Sequence, residues 1–113
     1  MQPGRRPTRI YSPRVPKRIF TYEEAVALLP EVQRVTAAAV EQVEEMTTDD
    51  PAAYESVVEE WAEAILSRGI EVKGLWLIDF DSGAGYYCWQ HPEPSVSHYH
   101  GYEDGFAGRM KIV

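Results

Sequence analysis

The sequence predicts an α+β fold: an antiparallel helical hairpin, its first helix broken near Pro30, packed on a small antiparallel β-sheet of three to four strands. Three observations predict it. Two stretches, about 30–46 and 51–68, carry apolar residues at three- and four-residue spacing, the period of an amphipathic helix. From Ile70 the apolar period drops to two, that of a strand. Clusters of glycine, proline, serine and aspartate then punctuate the rest of the chain, as hairpin turns do.

A chain of 113 residues with 44% hydrophobic content fits one globular domain. Its net charge of −7 is unevenly spread. Residues 1–18 hold Arg5, Arg6, Arg9, Arg14, Lys17 and Arg18 among four prolines, and all 18 acidic residues lie beyond them. Such a segment has little to bury and predicts a flexible basic tail before a single domain over 19–113. The acidic body repels phosphates, so nucleic acid is not an expected partner unless the tail alone carries it. No apolar run approaches the roughly 20 residues of a membrane span. A single cysteine forms no internal disulfide, which suits a reducing cytoplasm, the expected location.

The domain opens at Ile19-Phe20. Thr21 followed by Glu24 has the form of a capping box, with Glu23 and Glu24 at the positive end of the helix dipole. Pro30 lacks a donor and clashes with the preceding turn, so a break or sharp kink is expected there. Val32, Val35, Ala39, Val43 and Met46 continue the stripe. Asp50-Pro51 is a cap and first residue for the second helix, whose face is Tyr54, Val57, Val58, Trp61, Ile65 and Leu66. Arg68-Gly69 ends it. The short link makes the helices an antiparallel hairpin, and their stripes predict a homodimer through the helices if one sheet cannot cover them.

Residues 70–80 read as one strand, with Ile70, Val72, Trp76, Ile78 and Phe80 on one face and Gly74 marking a bulge or close approach. Residues 81–85 turn, 86–90 return as the second strand, 91–95 turn again and 96–100 form a third. Residues 101–108 are a glycine-rich loop, and 110–113 a last edge strand. All three histidines and the only cysteine fall between Tyr86 and Arg109, so the chemistry is expected in this C-terminal third.

Several segments resemble, in the same order, a family of uncharacterised bacterial and archaeal proteins, DUF2203. They are Phe20-Thr21, Glu24-Ala25 and Leu28-Leu29-Pro30, then Val72-Lys73-Gly74 and Ile78-Asp79-Phe80. Cys88-Trp89, Glu93-Pro94, Tyr99-His100 and Gly105-Phe106-Ala107-Gly108-Arg109 follow. The resemblance covers about 19–112; it takes in His100 but not His98, where the family pattern has an aromatic residue. It implies a helical hairpin with a small sheet and brings no activity or cofactor.

The candidate site residues rest on their own chemistry. Asp79 lies between Ile78 and Phe80, and a carboxylate in an apolar strand is either solvated or paired. Arg109, with its planar fork, is the natural partner. Asp79, Arg109, Trp89, Gly105 and Gly108 are ligand-binding candidates, the last two from a glycine-rich turn beside an arginine. Glu93, His98 and His100 are metal candidates: histidines two apart on a strand share a face, and Glu93 with His100 is the better pair. Cys88, with no base beside it, reads as a buried thiol. Asp79, Glu93, His100 and Arg109 are expected to converge. The expected function is a dimeric binding or regulatory module holding a small molecule or anion near the C-terminal loop. The alternative is a metal-dependent hydrolase using His100 and Glu93. No catalytic residue is assigned, enzyme status is open, and a divalent metal is the only cofactor considered.

Overall fold

The computed structural model describes residues 17–47 and 49–112. The expected tail therefore lies outside the described residues up to position 16; Lys17 and Arg18 are described and touch the body. Helix α1 (Tyr22–Glu44) starts at the capping box, with Glu24 N–H donating to Thr21 Oγ1 at 3.1 Å and Thr21 N–H to Glu24 Oε1 at 2.9 Å. It runs unbroken through Pro30, so the expected break does not occur. Pro30 and Val26, whose carbonyl loses its helical donor, are both exposed, and water can meet that carbonyl. The buried stripe of Ala25, Leu29, Val32, Thr36 and Ala39 meanwhile passes Pro30 without interruption.

Helix α2 (Pro51–Leu66) is capped by Asp50, which accepts from Ala52 N–H at 3.0 Å. The buried Trp61 Nε1–H donates to Thr36 Oγ1 at 2.8 Å and ties the helices together. Arg68 pairs with Glu31. Gly69 ends the hairpin with φ +81°, and a Cβ there would stand 2.7 Å from Arg18 Cβ, so a larger residue is strained on both counts.

The sheet is a meander of five strands in sequence order, rather than three to four. Residues 70–80 are not one strand but two, β1 (Glu71–Gly74) and β2 (Leu77–Asp81), folded at Leu75-Trp76. The apolar alternation runs straight through this turn and hides it. Trp76 holds φ 59°, a left-handed conformation that L side chains resist. Its ring packs edge-on against Trp61 at 4.9 Å, and its carbonyl accepts His91 N–H at 3.0 Å. The expected irregularity at Gly74 is present as a register shift between Val72 and Gly74. Strands β3 (Tyr86–Gln90), β4 (His98–His100) and β5 (Met110–Lys111) complete the meander.

Alternation gives this sheet two unlike faces. Ile78, Phe80 and Trp89 join Phe20, Leu29, Val32, Trp61, Ile65 and Val96 in the apolar core beneath the helices. The opposite face carries Asp79, Asp81, Cys88 and His100, all buried. What covers it is the loop from Gly101 to Arg109. Tyr102 donates to Asp81 Oδ1 at 2.6 Å and packs edge-on against Tyr86 at 5.1 Å.

Candidate functional site

Strand register builds the site. Asp79 pairs with Cys88 across β2–β3, and Cys88 with His98 across β3–β4. His100, one pleat further along β4, lies on the same face and reaches back to β2. Its Nε2 is 3.0 Å from Asp79 Oδ2, and its Nδ1 is 2.8 Å from the Gly101 carbonyl. A carbonyl only accepts, so Nδ1 carries a hydrogen. A further proton then sits between Nε2 and Oδ2, shared as imidazolium–carboxylate or as imidazole–carboxylic acid. One ligand-type atom from each of Asp79, Cys88 and His100 lies within 4.8 Å of the others.

Burial sets the electrostatics. It pushes the Asp79 carboxyl above its ordinary value, against the lowering pull of His100, Cys88 and Lys73. Burial and then the Asp79 charge push the Cys88 thiol up to about 12, so in the ligand-free chain it is a neutral thiol and a poor nucleophile. Asp79 is 1% exposed, yet its Oδ1 has no hydrogen-bond partner among the described residues. The adjacent thiol is too weak a donor to satisfy it. Buried carboxylate oxygens left this way are uncommon and call for an explanation.

Asp79 lines a cavity of 230 Å³, together with Lys73, Leu77, Cys88, His100, Tyr102, Gly105 and Phe106. Lys73 is its cation: Nζ is 3.1 Å from Glu71, 3.9 Å from Asp79 Oδ2 and 4.2 Å above the centre of the Tyr86 ring. Gly105, on the cavity wall, has open space where a Cβ would stand.

The four expected convergent residues form two linked pairs. Asp79 pairs with His100 and not with Arg109. Arg109 instead grips Glu93 with both arms of its fork, Nη1 at 3.0 Å from Oε1 and Nη2 on Oε2, and lies 4.2 Å over the Phe106 ring. Burial raises the Glu93 carboxyl, but Arg109 and the Gln90 N–H outweigh it and hold the group below its usual range. Arg109 Nη1 also approaches Cys88 Sγ at 3.8 Å, which joins the two pairs through the thiol.

His98 turns to Ser97 and lies 3.7 Å from Glu93, so the structure groups His98 with Glu93 and His100 with Asp79 and Cys88. Trp89 is a core residue on the helix-covered face, its Nε1–H donating to the Glu93 carbonyl at 2.8 Å. Gly108 closes the short 3₁₀ turn Phe106–Gly108 against Asp104 and does not line the cavity. Cys88 as a neighbour of Asp79 and His100, and Lys73 and Tyr102 as cavity walls, were not expected from sequence. The signal for Cys88 was present: a turn at 81–85 pairs position 79 with position 88.

The sequence model of a family described as "Uncharacterized conserved protein (DUF2203)" matches residues 48–112. That span holds α2, the whole sheet and every residue of the cavity. No curated protein and no solved structure matches the chain. Among the described residues no helix is long and apolar enough to cross a membrane.

Proposed function

The chain belongs to the DUF2203 family, and from the geometry of its site we propose that it is a binding module that holds a small polar ligand between the polar sheet face and the C-terminal loop. One observation carries this reading: the buried Asp79, whose Oδ1 has no hydrogen-bond partner among the described residues, lines a 230 Å³ cavity. A ligand group that donates a hydrogen bond there supplies what the fold lacks. Lys73 at the wall suits an acceptor or anionic group on the same ligand. Arg109 does not serve as the anion clamp, because its fork is filled by Glu93.

The hydrolase reading from His100 and Glu93 has less behind it. Glu93 is occupied by Arg109, the acid on His100 is Asp79, and the neutral Cys88 thiol is no nucleophile. The dimer proposal keeps some support from the helices. Val35, Val57 and Val58 remain half-buried and Tyr54 exposed, beside a shallow groove between α1 and α2. Sedimentation at tens of micromolar tests it, and a monomer there ends it.

The ligand reading is tested by thermal shift against small amines, amino acids, carboxylates and inorganic phosphate. The expected result is a rise in Tm with at least one class, lost in Asp79→Asn and weakened in Lys73→Met. A response that is the same in all three chains places binding elsewhere.

A further inference from the structure

We propose that Asp79, Cys88 and His100 are a three-donor site for a divalent transition cation of the zinc type, with its fourth position open to the cavity. The inference rests on reading that cavity as a ligand site, and it names the first thing bound there.

The donor set is one carboxylate oxygen, one sulfur and one imidazole nitrogen, the ligands that borderline cations such as zinc take. Hard cations such as magnesium prefer all-oxygen sets. Tetrahedral zinc with bonds of about 2.0–2.3 Å places its ligands roughly 3.3–3.8 Å apart. Here the three donors come from consecutive strands and lie within 4.8 Å of one another, so closing the set asks for a movement of about 1 Å.

Two further features prepare the site. The His100 Nδ1–H is held by the Gly101 carbonyl, which leaves Nε2 as the nitrogen turned to the cluster. Histidine ligands are commonly oriented by such a bond on the far ring nitrogen. Arg109 Nη1, 3.8 Å from Cys88 Sγ, is placed to donate to a thiolate once the sulfur is metal-bound. The unpartnered Asp79 Oδ1 is the independent sign that something is missing. Protein contacts account for the other oxygen, but none within the described residues accounts for this one.

Binding forms a sulfur–metal bond, a nitrogen–metal bond and a carboxylate oxygen–metal bond. The thiol proton and the proton between His100 and Asp79 leave to solvent. The carboxylate and thiolate then neutralise the dication inside the buried face. The three protein donors leave one tetrahedral position, and the cavity lined by Lys73, Tyr102 and Phe106 provides room for water or a small ligand.

Cobalt(II) is the probe, because its spectrum reports the ligands directly. The full chain, stripped by chelator and titrated with cobalt(II), is expected to saturate at one equivalent. A sulfur-to-cobalt charge-transfer band in the near ultraviolet should appear, displaced by zinc. Cys88→Ser should lose that band, and His98→Ala should keep it. The wild-type titration needs no variant, so a misfolded Cys88→Ser leaves the test intact. A spectrum without the sulfur band, or one abolished by His98→Ala, overturns the assignment. If cobalt gives no spectrum while the small-molecule response of Asp79→Asn still differs from wild type, the metal inference falls and the pocket stands. If both are absent, the pocket falls too.

Discussion

Ile78 and Phe80 on one face of β2, and Asp79 and Asp81 on the other, are equally hidden from water, between 0% and 2% exposed. The first pair packs into a shared apolar core with two helices. The second pair is roofed by a loop with little apolar material, and each of its carboxylates keeps an oxygen without a hydrogen bond among the described residues. Asp81 has compensation, since Lys17 lies 3.5 Å from that oxygen and Tyr102 donates to the other. Asp79 has His100 on one oxygen, a Lys73 ammonium at 3.9 Å from the same one, and the weakly donating Cys88 thiol. Equal burial therefore means different things on the two faces. Under the helices it is a source of stability, whereas under the loop its partners offset it at Asp81 and it works against the charged carboxyl at Asp79.

The sharpest contrast should come from truncating the apolar face. Phe80→Ala removes a ring packed edge-on against Phe20 at 5.1 Å and should cost about 3–5 kcal/mol in denaturant unfolding. A loss under about 1 kcal/mol would mean that the helices do not anchor the sheet as described. On the polar face, His100→Ala leaves the buried Asp79 with only the weak Cys88 thiol as a hydrogen-bond donor and should cost about 3 kcal/mol. The double substitution Asp79→Ala with His100→Ala should cost less than the sum of the singles, by about 1–3 kcal/mol. Additive losses would show that the two residues are not a pair.

The ion pair at the loop's end separates from both by its pH signature. Glu93 is held below its ordinary value of 4.5 in the folded chain. Its contribution is present above that value and fades as pH falls through the lower folded value. Acid unfolding of Arg109→Ala should therefore begin at higher pH and be less steep than in wild type, with the melting temperature at neutral pH lowered by a few degrees. An unchanged acid limb would leave the pair without energetic weight.

The smallest effect expected is from the N-terminal segment. Arg18 packs 4.2 Å over the Phe20 ring and donates to the Arg68 carbonyl at 3.3 Å, so the cut belongs before Lys17. Removing residues 1–16 should change stability by less than about 0.5 kcal/mol. A melting temperature several degrees lower would show that this segment packs on the body.

What the sequence made legible follows the same division. The helices, their caps and β3 are local, written in stripe, cap and turn residues, and they appear where the pattern places them. Pro30 misleads because the neighbourhood of a proline does not say which side of a helix is wet. The turn at Leu75-Trp76 misleads because it has no glycine or asparagine and is held by Trp61, a contact invisible to local reading. Asp79, His100, Glu93 and Arg109 were expected together, and they do gather. Their pairing depends on register between non-adjacent strands and on the path of the loop after Gly101, which no periodicity encodes. Cys88 was read from its neighbours in sequence, whereas its chemistry comes from its neighbours in the sheet.

The central claim is that the Asp79 carboxylate serves a ligand at the expense of the empty fold. Thermal melting of Asp79→Asn against wild type, both stripped of metal, tests it most directly. Asparagine keeps the shape and can donate to His100 Nε2, while replacing a buried carboxylate whose Oδ1 has no hydrogen-bond partner among the described residues. The expected result is a melting temperature equal to or above that of wild type. A drop of several degrees would contradict the claim and make Asp79 a structural residue, its pair with His100 a clamp between β2 and β4.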